Sequence, residues 1–108
     1  MKLNDKEVAI VQNILETTTP KYEVRVFGSR VHGRGLKPFS DIDLAIMATA
    51  PIASDLLCEL QEQFAESDLP YKVDIVDYRA ASPRFRDIIQ QEYEVIYRPK
   101  SEPDSDNN

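Results

Sequence analysis

The run Asp43-Leu44-Ala45-Ile46-Met47 carries no polar residue after its aspartate. A strand that alternates apolar and polar residues can leave one face in water, but an unbroken apolar strand needs cover on both. A fold that contains this run must set a sheet between other layers, which the rest of the chain has to supply. Two carboxylates, Asp41 and Asp43, stand at its mouth, directly after the glycine-containing cationic stretch "FGSRVHGRGLKPFS".

Helical and strand periodicities on either side supply those layers. Asn4 and Glu7 stand at capping-box spacing, and Val8, Val11, Ile14 and Leu15 recur at helical intervals, predicting a first helix that Pro20 stops. Alternation in "YEVRVF" predicts a strand over residues 22–27. Ala53, Leu56, Leu57, Leu60 and Phe64 form a core-facing helical stripe, and after the turn "SDLP" the segment "YKVDIVDY" reads as a third long strand. Ser82 and Pro83 suit the N-cap and first position of a helix through Phe85, Ile88 and Ile89, and "EVIY" reads as a short last strand. Met47 and Tyr71 are expected to pack. The expected fold is a layered α/β (α+β) domain with helices on a small mixed sheet, covering residues 1–98. Residues 99–108, with two prolines and no apolar side chain, are expected to form a disordered tail.

With 108 residues, one modest core is available. Apolar residues at 42% and charged residues at 30% are ordinary for a soluble globular chain. No apolar stretch approaches the ~18 residues of a membrane span, and "MKLNDKEVAI" lacks a secretory core. The expectation is a cytoplasmic protein with no membrane role. The lone Cys58 has no disulfide or zinc partner and reads as a reduced helix residue. A formal charge of −6 disfavours indiscriminate nucleic-acid binding. The charge is unevenly spread. Residues 20–40 carry Lys21, Arg25, Arg30, Arg34 and Lys37 against Glu23, whereas residues 41–77 carry nine acids against Lys72. The sign changes at Asp41.

Because side chains alternate along a strand, Asp41 and Asp43 share a face. Like charges ~4 Å apart repel by about 4 kcal/mol at an effective dielectric near 20, so such a pair is protonated, well hydrated or bridged by a cation. Oxygen ligands favour magnesium, calcium or manganese over zinc. Asp74 lies on a strand that can pair beside the Asp41 strand and would complete a divalent-metal site or act toward a hydroxyl, whereas Asp77 falls on the opposite face. Gly28 lets backbone N–H groups approach a phosphate, Ser29 adds a hydroxyl, and Arg30 and Arg34 offer countercharge. A Walker-type loop does not fit, because no lysine followed by serine or threonine comes after Gly33. His32 and Lys37 read as exposed loop residues.

Gly28-Ser29, eleven intervening residues, Asp41-Ile42-Asp43-Leu44 and a later strand acid together resemble the signature of the polymerase-beta-like nucleotidyltransferase superfamily. The resemblance is greatest to its minimal nucleotidyltransferase (MNT) branch, antitoxins found beside HEPN-domain proteins, and it covers residues 1 to about 98. It implies a domain that binds a nucleoside triphosphate with magnesium and transfers its nucleoside monophosphate to a hydroxyl. Asp41, Asp43 and Asp74 would be the catalytic and metal-binding residues, and Gly28, Ser29 and Arg30 would hold the triphosphate. Larger members add a helical acceptor domain that is not expected in this chain, so the acceptor is expected on a partner, a helical HEPN-type toxin that receives AMP from ATP. Two alternatives stand beside this: a non-catalytic module that neutralises the partner by complex formation, and a transferase acting on a small molecule or RNA end. Homodimer and hetero-oligomer both stay open.

Overall fold

A computed structural model describes residues 3–28 and 41–100. The expected capping box is formed. The Asn4 side chain accepts the Glu7 N–H at 2.8 Å, and the Asn4 N–H donates to Glu7 Oε1 at 3.0 Å, opening helix α1, Asp5–Thr18. Thr19, which is buried, ends it by donating both its N–H and its hydroxyl to the Leu15 carbonyl.

Strand β1 follows at Val24–Phe27. It starts two residues later than the alternation suggests, because the Tyr22 N–H donates to the Thr19 carbonyl in the turn after the helix. Next come β2 (Ile42–Ile46), α2 (Ser54–Ala65) and β3 (Val73–Asp77). Ala53, assigned to the apolar stripe of α2, is instead its exposed N-cap and makes no side-chain capping bond. Strand β3 is shorter than "YKVDIVDY" because the Asp77 carboxylate accepts the Arg79 N–H at 3.1 Å and caps a 3-10 turn, Tyr78–Ala80. Helix α3 spans Pro83–Gln91, with Pro83 in its first turn and the Ser82 hydroxyl accepting the Phe85 N–H. Phe85 and Ile89, one turn apart, face the sheet, which leaves Ile88 at the flank, 48% exposed. Strand β4, Tyr93–Tyr97, completes the described elements.

The sheet order is β3-β2-β1-β4. Strands β2 and β3 are parallel and joined through α2, while β1 runs antiparallel to both β2 and β4. This is the expected mixed sheet. Strand β2 lies inside it with both faces covered, as its apolar run requires. Ile42, Leu44 and Ile46 pack with Val11, Ile14 and Leu15 of α1 and Leu60 and Phe64 of α2. On the other face Ala45 joins Phe27 and Ile89, with Met47, Val76, Phe85 and Tyr93 packed around them. Pro99 and Lys100 of the assigned tail are described, and the Lys100 ammonium lies 2.6 Å from the Glu16 carboxylate; residues 101–108 lie outside the described residues.

Candidate active site

The parallel pairing of β2 with β3 sets Ile42 beside Val73 and Asp43 beside Asp74. Adjacent strands lie only ~4.8 Å apart, so the two acids are neighbours by register. Both occur at strand starts, which places them at one end of the sheet, the end where antiparallel β1 finishes at Phe27 opposite Asp43. Asp41 stands just before β2 and is exposed, whereas Asp43 is partly buried. The Ile42 N–H, between the two aspartates, donates to the Lys72 carbonyl at 2.9 Å and anchors the entry of β2 to that of β3. Asp77, on the opposite face of β3, is occupied with its cap and with Arg79 at 3.7 Å.

Gly28 completes this corner in a way that the sequence did not reveal. Its φ of +79° is left-handed, and a Cβ built there would lie 2.7 Å from Asp43 Oδ2. Both the backbone conformation and the room for the Asp43 carboxylate therefore demand glycine. Ser29 and Arg30, the other expected clamp residues, lie outside the described residues, as do His32, Arg34 and Lys37. Arg25, counted with the cationic stretch, is engaged elsewhere: it pairs with Glu23 at 2.7 Å, donates to Gln90 and stacks over the Tyr93 ring at 4.1 Å.

The charge crowding at Asp43 has a clear electrostatic result. Burial first, then the like charges of Asp74 and Asp41, push the Asp43 carboxyl from 3.8 up to about 6. An acid whose folded pKa is raised binds its proton more tightly in the native state, so its contribution to stability is full below 3.8 and is lost as pH rises through about 6. Without divalent ions, Asp43→Asn is therefore expected to melt above the wild type at about pH 8, with the gain vanishing below about pH 4. Thermal scans across that range in chelator check it; a gain that persists undiminished in acid would show that the Asp43 charge is not the source of the strain.

Carboxylate oxygens gathered around a half-buried, charge-crowded member form a donor set suited to a hard divalent ion. Among the described residues no three acid, histidine or cysteine side chains are drawn into a ligating arrangement as they stand. The donor chemistry fits such an ion, and the register supplies the proximity.

Residues 9–102 match the polymerase beta nucleotidyltransferase family. The chain belongs to that family. Nucleotidyltransferases of this family generally work with a divalent metal. A curated relative, the probable protein adenylyltransferase MntA of Haemophilus influenzae, is 44% identical over 96 residues, 89% of this chain and 83% of that protein. Among solved structures, a toxin-antitoxin crystal structure with AMP-PNP superposes with a TM-score of 0.70 at 26% identity, covering 90% of this chain and 76% of the other. A tri-AMPylated Shewanella oneidensis HEPN toxin in complex with MNT antitoxin gives a TM-score of 0.60 at 26% identity, over 83% of this chain and 71% of that one. The nucleotidyltransferase fold expected from the Gly-Ser and Asp-x-Asp spacing is thus the fold observed.

Proposed function

We propose that this chain is a protein adenylyltransferase that moves AMP from ATP to a hydroxyl of a HEPN-domain partner and so acts as the antitoxin of a toxin-antitoxin pair. The observation that carries this reading is the pairing of Asp43 with Asp74 beside Gly28, in a chain 44% identical to a probable protein adenylyltransferase. Asp41, Asp43 and Asp74 would hold a divalent ion, magnesium by this reading. When bound, it would supply neutralisation of the triphosphate and of the charge that develops on the α-phosphate.

The chain's own residues would do the rest. Gly28 leaves the space in which the Asp43 carboxylate sits, and with Ser29 and Arg30 it would cradle the β- and γ-phosphates. Asp74, whose side chain is 42% exposed, would meet the acceptor hydroxyl and take its proton as the oxygen attacks the α-phosphorus. A cytoplasmic location belongs to the same reading; no described helix is long and apolar enough to cross a membrane.

Incubation with the HEPN-type partner, ATP and magnesium should raise the partner's intact mass by one or more AMP units and relieve its toxicity. No mass increase with any of the four nucleoside triphosphates, together with full protection of cells, would favour neutralisation by complex formation instead.

A further inference from the structure

We propose that Lys72 is the residue that lets this enzyme add a second and later AMP to an acceptor that already carries one. The inference rests on the adenylyltransferase reading above. Lys72 is the only basic residue between positions 41 and 77, a segment with nine acids. Its Nζ lies 3.8 Å from Asp74 Oδ1, and the two side chains are 73% and 42% exposed. A pair so long and so open to water contributes little to stability, so the ammonium is free to exchange Asp74 for a stronger anion. Its backbone is not free. The Lys72 carbonyl accepts the Ile42 N–H, which holds this position at the sheet end between the strands that carry the acids. Residues 72 and 74 are two apart, so Lys72 flanks the site on the side of Asp74, the acid assigned to the acceptor.

The chemistry of repeated transfer calls for a cation at that place. In the first round the acceptor is a neutral protein hydroxyl. Its oxygen bonds to the α-phosphorus of ATP, the α–β phosphoanhydride P–O bond breaks with its electron pair leaving on pyrophosphate, and the hydroxyl proton passes to the Asp74 carboxylate and then to water. In the second round the same bonds form and break, but the attacking oxygen is a ribose hydroxyl. One ribose away stands a phosphodiester anion, brought up against three carboxylates. Lys72 is positioned to neutralise that phosphodiester, a service the first acceptor does not need. A HEPN toxin in complex with an MNT antitoxin of similar fold is tri-AMPylated, so more than one AMP on such a partner has a precedent.

The test compares wild type, Lys72→Met and Lys72→Arg, using the HEPN-type partner either unmodified or already carrying one AMP, with product masses followed in time. Lys72→Met should add the first AMP at the wild-type rate and lose about tenfold to hundredfold in rate on the AMP-bearing partner, with the loss in KM rather than kcat, as expected for one lost charge-assisted contact. Lys72→Arg should restore the later additions, and these should be more salt-sensitive than the first in the wild type. An unchanged product ladder in Lys72→Met, equal losses on both acceptors, or a wild type that stops at one AMP would each overturn the proposal and leave the adenylyltransferase reading standing. A wild type that adds no AMP at all would overturn both.

Discussion

Asp43→Asn is expected to lower the rate of AMP transfer on the order of a thousandfold or more, about 4 kcal/mol of transition-state stabilisation, while leaving the partner bound. The substitution keeps the shape of the side chain and removes its charge. Asp43 is partly buried and is the acid whose pKa is raised by burial and by its neighbours, Asp74 in register and Asp41 two residues before it. The charge it contributes is therefore poorly screened by water and central to any cation the group holds. Partner affinity should change little, because a single acid at a cleft contributes little to a protein interface compared with a central aromatic or arginine anchor. Transfer rates measured by intact mass, beside partner affinity measured by calorimetry, separate the two effects. A variant that binds, fails to transfer and fails to relieve toxicity identifies catalysis as the protective act. A variant that protects as well as wild type would hand that role to sequestration.

The same substitution should stabilise the metal-free fold in neutral and alkaline solution, as argued from the raised Asp43 pKa. Loss of function and gain of stability from one atom change is the signature of a site where like charges are held together for a ligand.

The parts of this site that could be read from sequence are those governed by local periodicity. An acid on an apolar strand is conspicuous, and a period of two puts Asp41 with Asp43, and Asp74 away from Asp77, without knowledge of the fold. The capping box at Asn4 and Glu7 and the Ser82-Pro83 start of α3 are equally local and form as expected. The alignment of Asp43 with Asp74 is different in kind. It depends on the register of two strands joined through α2, and pairing over such a separation leaves no mark in either segment alone. Arg25 shows the converse case: by position it belongs to a cationic run, but the structure sets it against Tyr93 and Gln90, where it is already partnered. Lys72 carried a readable signal, its spacing of two from Asp74, which gains meaning only once the pairing with β2 is known.

Gly28→Ala is expected to cost the fold only about 1–2 kcal/mol, the penalty of a left-handed conformation for an L-residue, yet to lower AMP transfer about a hundredfold. The two effects differ because of what the new methyl group would meet. At 2.7 Å its nearest neighbour is Asp43 Oδ2, the far end of a rotatable side chain rather than backbone, so the clash is relieved by pushing the carboxylate aside. The sheet survives and the site loses its centre. A glycine at this position suits the approach of a phosphate to the backbone; the structure adds a second demand, the room that Asp43 itself occupies. The two demands are separable by a double-mutant cycle. If Gly28 matters through Asp43, Gly28→Ala in the Asp43→Asn background should cost almost no further activity, a strongly non-additive result. Independent, additive losses would mean that the glycine serves the nucleotide directly, and near-wild-type transfer by a folded Gly28→Ala protein would remove Gly28 from the site.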